Sequence, residues 1–350
     1  MEISTPGRIC LFGEHLDYLG LPVIAMAISL RMSIKGTFRS DNIIKVDMPD
    51  INEMKVFCID ELNSKNKNYF KSGLKICKKA GLNFSRGMNC QIKSDIPISA
   101  GTSSSSAMNV GWINFLSKMA DKPFKLNPNQ IAEMAYQAEV EEFNESGGMM
   151  DQYVTSCGGM LLIKSEPKVS VEKIESELGS FVLGDSGELK NTLDILDRCK
   201  TLRINIFEKI KSVTSQFDLH TCKDDLDVSY LSKKEKNLFV ATLKNRNLLE
   251  KSLKELNKEK VDPIYFGELL NQQHRILRDD LNVSTKKIES MLSASKQAGA
   301  FGGKINGSGG GGCMFAYAPD NPKKVASAIE SVGGRAYIIG KDEGTKILFK

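Results

Sequence analysis

The feature that most constrains the fold is a run of small residues, Pro97 to Ala107, between a strand-like pattern and a helix-like one. The strand pattern ends near Ile92, and apolar residues from 108 to 119 recur at helical spacing. Small residues let the backbone approach an anion, and the free N–H groups and dipole of a helix start favour negative charge. The run predicts a phosphate-binding loop, with a flexible serine-rich surface loop as the alternative. It is not a Walker A loop, because the lysine of that pattern is absent.

A second glycine-rich run, from Asn306 to Cys313, follows about two hundred residues later and leads into a strand-like segment. Its five glycines allow positive φ angles and close approach of the backbone to a ligand. A tight hairpin would need the same residues. Taken with the first run, it favours one phosphate group held from two parts of the chain.

Near the N-terminus, a strand-like segment from Ile9 to Phe12 runs into Gly-Glu-His-Leu-Asp-Tyr. This places Glu14, His15 and Asp17 just after a strand end, where loops often carry function. Carboxylates accept hydrogen bonds from neighbouring hydroxyl groups well. Taken one at a time, these residues fit equally well as ordinary groups of a surface loop.

The segment from Gly147 to Tyr153 places the carboxylate of Asp151 among apolar neighbours, after a pair of glycines. Such surroundings can tune a catalytic acid or base, although a carboxylate there could also merely cap a helix. Glu139 lies twelve positions earlier on a helix predicted to start at Pro128. Most glutamates in such a run face water.

Composition narrows the class of protein. A chain of 350 residues exceeds one ordinary hydrophobic core, so two domains are expected. The 48 basic and 43 acidic residues are well mixed, which argues against nucleic acid as a partner. The eight cysteines form no C-x-x-C pair and only three histidines accompany them, so no zinc site is expected. No apolar run is long enough to span a bilayer and no signal region is evident, so we expect a cytoplasmic protein without a membrane partner.

The two halves of the chain both mix helix and strand signals. We predict helices at 190–217, 232–258, 263–281, 283–297 and Pro322–Val332, and strands at 313–317, 335–340 and 346–349. The predicted domains are residues 1–180 and 181–350, with a boundary uncertain by about ten residues.

Read in order, these segments resemble the GHMP kinases, the family of galactokinase, homoserine kinase, mevalonate kinase and phosphomevalonate kinase. The resemblance covers nearly the whole chain. Four segments are galactokinase-like in particular, and they lie at 7–18, 97–105, 148–152 and 307–312. The resemblance implies an α+β fold of two domains with the active site in the cleft between them. The C-terminal domain would be ferredoxin-like with extra helices.

The resemblance also implies roles for individual residues. Asp151 would be the catalytic carboxylate and Arg8 the arginine beside it. Mg²⁺ would be bound by Ser105 and Glu139. The sugar would be bound by Glu14, His15, Asp17, Gly148 and Asp151, and ATP by Gly101, Thr102, Ser103, Ser104, Ser105, Gly307, Gly309 and Gly310.

The activity implied is transfer of the terminal phosphate of ATP, with Mg²⁺, to a monosaccharide, at the C1 hydroxyl as in galactose metabolism. Leu16 and Leu19 stand where galactokinases usually have threonine and asparagine, and Thr102 replaces the usual leucine. A kinase for a uronic acid, a pentose or an amino sugar is therefore an open alternative. A mevalonate-type kinase and a non-catalytic sugar sensor are the others.

Overall fold

The computed structural model describes residues 1–62, 67–98, 100–188 and 192–349. The strands are β1 (Glu2–Phe12), β2 (Val23–Phe38), β3 (Ile43–Met48), β4 (Glu53–Cys58), β5 (Met88–Ser94), β6 (Met160–Lys164), β7 (Ser170–Ile174), β8 (Phe181–Asp185), β9 (Gly302–Ile305), β10 (Cys313–Tyr317), β11 (Arg335–Ile339) and β12 (Lys346–Phe349). The helices are α1 (Tyr69–Lys79), α2 (Ser104–Met119), α3 (Pro128–Glu139), α4 (Met150–Cys157), α5 (Thr192–Val213), α6 (Lys233–Leu256), α7 (Pro263–Arg275), α8 (Lys286–Gln297) and α9 (Pro322–Ser331).

The described chain divides into two compact units, and neither is a continuous stretch. Unit 1 comprises residues 1–8, 26–159 and 341–350, and unit 2 comprises residues 9–25 and 160–340. The predicted division into domains 1–180 and 181–350 stays a prediction.

Unit 1 is built on a sheet with the strand order β12-β1-β2-β5-β3-β4, in which β3 and β5 run parallel. Helices α1, α2 and α3 pack together beside a core that includes Trp112, whose indole N–H donates to the Phe70 carbonyl at 3.0 Å. Asn127 and Gln130 form a capping box that starts α3. The helix then ends at Glu139, which places that carboxylate in the interior.

Unit 2 contains the antiparallel sheet β11-β8-β10-β9. Numbered along the chain, these four strands have the order 4-1-3-2, which is the ferredoxin-like layout that the resemblance to GHMP kinases implied. Helices α8 and α9 pack on one another and on the sheet through Ile288, Met291, Val325 and Ile329. Helices α5, α6 and α7 are the predicted additions, and strands β6 and β7 pair as a hairpin.

The predicted elements of the second half are present with small differences in their ends. The prediction for 190–217 corresponds to α5, although residues 190 and 191 lie outside the described residues. The single helix predicted at 263–281 is instead α7 followed by a π-helical turn, Ile276–Asp280. Strand β12 pairs with β1, so the last strand belongs to unit 1.

All eight cysteines lie among the described residues, and none of them forms a disulfide. Across the described ranges, no helix has the length and apolar character needed to cross a membrane.

Candidate active site

The carboxylate of Asp151 is held from one side by three donors. Asp151 lies in the first turn of α4, where Arg8 donates from Nε to Oδ1 and from Nη2 to Oδ2, both at 2.7 Å. The Ser103 hydroxyl donates to Oδ2 at 2.6 Å. The Arg8 side chain is 5% exposed and that of Asp151 26%, so the pair is buried at the guanidinium and open at the carboxylate. A bidentate pair of this kind fixes the direction of the carboxylate.

The loop that was predicted to bind phosphate turns sharply before α2. Gly101 has a φ of 85° and Ser103 a φ of 61°, and the carbonyl of Gly101 accepts from Arg8 Nη1 at 2.5 Å. Because the Ser103 hydroxyl donates to Asp151, it does not cap α2, and the first-turn N–H groups are not covered by that side chain. These groups suit an anion.

Three further residues of unit 1 were predicted as site residues, and they are Thr102, Ser104 and Gly148. Thr102 is fully buried and its hydroxyl donates to the Pro97 carbonyl at 3.2 Å. Ser104 and Gly148 are partly exposed, and Gly148 lies in the turn before α4. Ser99, which belongs to the predicted run, lies outside the described residues.

Glu139 and Ser105, the two predicted metal ligands, lie within hydrogen-bond distance of one another. The Ser105 hydroxyl donates to Glu139 Oε1 at 2.7 Å, and Gln152 Nε2 donates to Oε2 at 2.7 Å. Glu139 is 6% exposed, and burial raises the pKa of its carboxyl although these hydrogen bonds oppose the rise. The two residues offer hydroxyl and carboxylate oxygens, which are the donors that Mg²⁺ prefers.

In unit 2, Glu14 has contacts that the sequence did not reveal. Its Oε2 accepts from Lys304 Nζ at 2.8 Å and from the Gly307 backbone N–H at 3.0 Å. The Glu14 and Lys304 side chains are 3% and 0% exposed, so this is a buried ion pair. Lys304 also donates to the Cys10 carbonyl at 2.8 Å. These contacts tie the end of β1 to the start of the glycine-rich loop, residues 306–312.

His15 is likewise enclosed, while Asp17 is not. His15 is 3% exposed, with Nδ1 2.7 Å from the Tyr18 hydroxyl oxygen and Nε2 3.1 Å from the Ser308 carbonyl oxygen. Asp17 opens a short 3-10 turn and is partly exposed. Leu16, which departs from the galactokinase pattern, is fully buried, whereas Leu19 is partly exposed.

The glycine-rich loop requires glycine at several positions. Gly307, Gly309 and Gly310 have φ angles of 77°, 81° and 76°. A Cβ atom on Gly309 would lie 2.5 Å from the backbone oxygen of Val283, which also accepts from the Gly310 N–H at 2.7 Å. The loop is therefore both turned and closely packed.

Three segments of the chain match described families. Residues 68–159 match the GHMP kinases N terminal domain, residues 249–335 the GHMP kinases C terminal region, and residues 2–36 the galactokinase galactose-binding signature. A mevalonate kinase of Pyrococcus abyssi is 30% identical over 346 residues, which cover 96% of this chain and 93% of that protein. The chain belongs to the GHMP kinase family. Its known members are ATP-dependent kinases, and this protein is one of them.

Other relatives of this GHMP kinase are galactokinases rather than mevalonate kinases. A galactokinase of Clostridium perfringens is 29% identical over 353 residues, which cover 94% of this chain and 88% of that protein. The structure of Lactococcus lactis galactokinase with galactose superposes with a TM-score of 0.84 at 23% identity, covering 99% of this chain and 95% of that one. The two-domain GHMP kinase fold predicted from the sequence is thus confirmed.

Sequence reasoning missed Lys304, Gln152 and Tyr18 as partners of the predicted residues. Lys304 carried a signal, because it is a charged residue in a short strand that leads directly into the glycine run. Gln152 directly follows Asp151 in the segment 147–153, but the sequence indicated no role for it. No sequence pattern indicated that Tyr18 binds His15. None indicated that His15 binds the Ser308 carbonyl, which lies 293 residues away along the chain.

We expect Gly309→Ala to raise the KM for ATP of this GHMP kinase. The alanine would be strained at a positive φ and would collide with the Val283 carbonyl, so the loop has to shift. Steady-state kinetics at saturating acceptor measures the effect. The control is Gly81→Ala, which has a φ of 90° and open space around the added Cβ. Equal KM values in the two variants would contradict a role of the loop in binding ATP.

Proposed function

We propose that this GHMP kinase transfers the terminal phosphoryl group of ATP to a hydroxyl group of a monosaccharide, at C1, as galactokinase or a close sugar-1-kinase relative. The observation that carries the proposal is the match of residues 2–36 to the galactose-binding signature. Asp17 lies within that segment and is partly exposed, and we propose that its carboxylate accepts hydrogen bonds from sugar hydroxyls. Glu14 and His15 would hold the loop after β1 in place, because their polar atoms bind other residues of unit 2.

Asp151 is the proposed catalytic carboxylate. Arg8 and Ser103 hold its two oxygens from the protein side, so its open side can accept the proton of the acceptor hydroxyl. The positive charge of Arg8 would also shield the incoming phosphate from the carboxylate. Phosphoryl transfer has a loose transition state, so orienting the hydroxyl is the main task of such a group.

In unit 1, the backbone N–H groups of residues 101–105 would bind the phosphates of ATP. In unit 2, the glycine-rich loop is the segment proposed to bind nucleotide. The start of α2 favours the negative charge of phosphate through its N–H groups and its dipole. Because Thr102 and Ser103 direct their hydroxyls elsewhere, Ser104 and Ser105 are the loop residues whose hydroxyls remain candidates for phosphate or metal.

Ser105 and Glu139 would hold Mg²⁺ together with the phosphates of ATP. The described residues contain no group of three or more His, Cys, Asp or Glu side chains suited to a metal ion, which fits an ion bound largely by the nucleotide. A buried carboxylate whose pKa is raised by burial gains most from a nearby cation. When bound, Mg²⁺ would neutralise charge on the phosphates.

Glu139→Gln should lower kcat strongly and leave acceptor affinity nearly unchanged, because the amide keeps the size but cannot offer a charged oxygen to Mg²⁺. The kinetic measurement is a titration of activity with Mg²⁺ at fixed ATP. Glu133→Gln on the same helix is the control, since Glu133 contacts Tyr153 rather than Ser105. A Glu139→Gln enzyme with wild-type activity at limiting Mg²⁺ would remove Glu139 from the metal site.

A mevalonate-type activity is the second candidate, favoured by the 30% identity to mevalonate kinase over nearly the whole chain. The two substrates differ chemically, because mevalonate carries a carboxylate and a neutral sugar does not. Lys304 is the cation that pairs with Glu14. Because this pair is buried, Lys304 is not available to a substrate carboxylate. A non-catalytic sensor is disfavoured by the intact contacts among Arg8, Asp151 and Ser103.

The test is coupled ADP release with ATP and Mg²⁺ over a panel of galactose, other hexoses, pentoses, uronic acids, amino sugars and mevalonate. We expect turnover with a sugar and none with mevalonate. Phosphorus NMR of the product then identifies a C1 phosphate by its coupling to the anomeric proton. Turnover with mevalonate alone would overturn the sugar-kinase proposal, and turnover with a uronic acid, pentose or amino sugar would replace galactose within it.

A further inference from the structure

Arg203, on α5, is a buried cation that the proposed reaction does not use. Its side chain is 1% exposed, with Nε donating to the Cys199 carbonyl at 2.9 Å and Nη2 donating to the Tyr18 hydroxyl. The guanidinium lies 5.2 Å from the Tyr18 ring centre. Within the described ranges, no carboxylate forms an ion pair with it. Burying an uncompensated charge costs free energy, so its contact with Tyr18 requires an explanation.

The Ser308 carbonyl determines which atoms donate in the hydrogen bonds of His15 and Tyr18. This carbonyl can only accept, so the proton of a neutral His15 ring lies on Nε2. Nδ1 then accepts from the Tyr18 hydroxyl, whose oxygen accepts from Arg203. Burial raises the pKa of Tyr18, so the phenol remains protonated and able to donate. The resulting chain is Arg203 to Tyr18 to His15 to the Ser308 carbonyl.

The same helix touches the glycine-rich loop directly. A Cβ atom on Gly310 would lie 2.2 Å from Ile195 Cδ1, and Ile195 is one turn from the start of α5. The loop is thus packed against the first turns of α5 and connected through hydrogen bonds to Arg203 further along.

We propose that Arg203 is a positioning residue for ATP: through Tyr18 and His15 it fixes the Ser308 carbonyl and with it the glycine-rich loop. Through the Ser308 carbonyl, His15 then acts on the nucleotide side of the reaction, in addition to holding the loop after β1 in place. The inference rests on the proposed role of the glycine-rich loop in binding ATP.

The first test needs no activity. Two-dimensional ¹H–¹⁵N spectra of protein labelled at its three histidines report which ring nitrogen of each carries the proton, and His15→Gln assigns the His15 signals. We expect His15 to be protonated at Nε2 and unprotonated at Nδ1. In Tyr18→Phe the His15 Nδ1 resonance should shift, because its donor is gone. A wild-type His15 protonated at Nδ1 overturns the proposal.

The second test compares the KM for ATP and the KM for the acceptor among variants. Arg203→Met and Tyr18→Phe should raise KM for ATP by on the order of tenfold to a hundredfold, the scale expected when a binding group is displaced by about an ångström. KM for the acceptor should change much less. Arg203→Lys, which keeps the charge but not the forked donors, should be intermediate. Calorimetric titration with ATP repeats the comparison without an acceptor.

Two controls separate positioning from loss of stability. Lys211→Met changes an exposed residue of α5 and should leave both KM values unchanged. Ile210→Ala removes a fully buried side chain of α5 and should lower the melting temperature without moving the His15 resonances or KM for ATP. An increase in acceptor KM alone in Tyr18→Phe overturns the proposal and returns His15 to the sugar. Weak ATP affinity with unchanged His15 spectra in Ile210→Ala also overturns it, because stability would then explain the effect.

Discussion

Asp151→Asn is expected to lower kcat by about a hundredfold to ten-thousandfold, the usual contribution of a general base. The amide keeps the size of the side chain and one oxygen to accept from Arg8, but it has no charge and cannot take the proton. ATP affinity should stay close to that of the wild type, because the start of α2 is unchanged. The unfolding free energy should fall by no more than about 3 kcal/mol, the upper contribution of hydrogen bonds to a charged group.

Single-turnover kinetics separates the chemical step from substrate binding in this variant. The control is Asp262→Asn, which caps α7 through Ile264 and Tyr265, because asparagine is an equally good helix cap. If Asp151→Asn retains more than about a tenth of the wild-type kcat, Asp151 is not the base. Asp17 is then the next carboxylate to test.

Lys304→Met is expected to lower the unfolding free energy by about 3–5 kcal/mol, since it leaves the Glu14 carboxylate buried without its cation. The double variant Lys304→Met with Glu14→Gln should recover much of this loss. Its amide oxygen can still accept from the Gly307 N–H. Denaturation followed by circular dichroism measures the change.

The matched control for this prediction is Lys164→Met, which breaks an exposed pair with Glu172. Such pairs contribute at most about 1 kcal/mol. Trp112 is the sole tryptophan and lies in unit 1, so its fluorescence provides a separate signal for that unit. A single variant as stable as the Lys164→Met control would show that the Glu14 pair does not stabilise unit 2.

The sequence predicted the secondary structure well wherever the signal was local. Strand β10 begins and ends at the predicted residues, and α3 begins at Pro128 as predicted. The π-helical turn after α7 was not predicted, because its residues continue an ordinary helical pattern. The pairing of β12 with β1 was not predicted either, since no local pattern specifies a partner so distant.

The candidate site shows the same limit at the level of side chains. The motifs identified Asp151, Arg8, Ser105 and Glu139, and the structure places them in two adjoining hydrogen-bonded groups. Motifs do not reveal which polar atoms are already satisfied by the rest of the protein. That Glu14 binds the sugar stays a prediction, and the structure adds Lys304, which lies 290 residues away, as a partner of its Oε2. Which polar atoms of a residue can bind a substrate depends on its tertiary contacts, and only the folded structure shows those contacts.

The pairing of β1 with β12 also has a consequence for synthesis of the chain. Glu2 lies opposite Phe349, and β12 begins more than 300 residues after β1 ends. At roughly 5–20 residues per second, the ribosome needs on the order of tens of seconds to produce the residues that complete this pair. Throughout that interval the backbone edge of β1 that pairs with β12 lacks this partner. The nascent chain therefore carries an open strand edge while the residues between these two strands are made, and chaperones that cover such edges would act during that time.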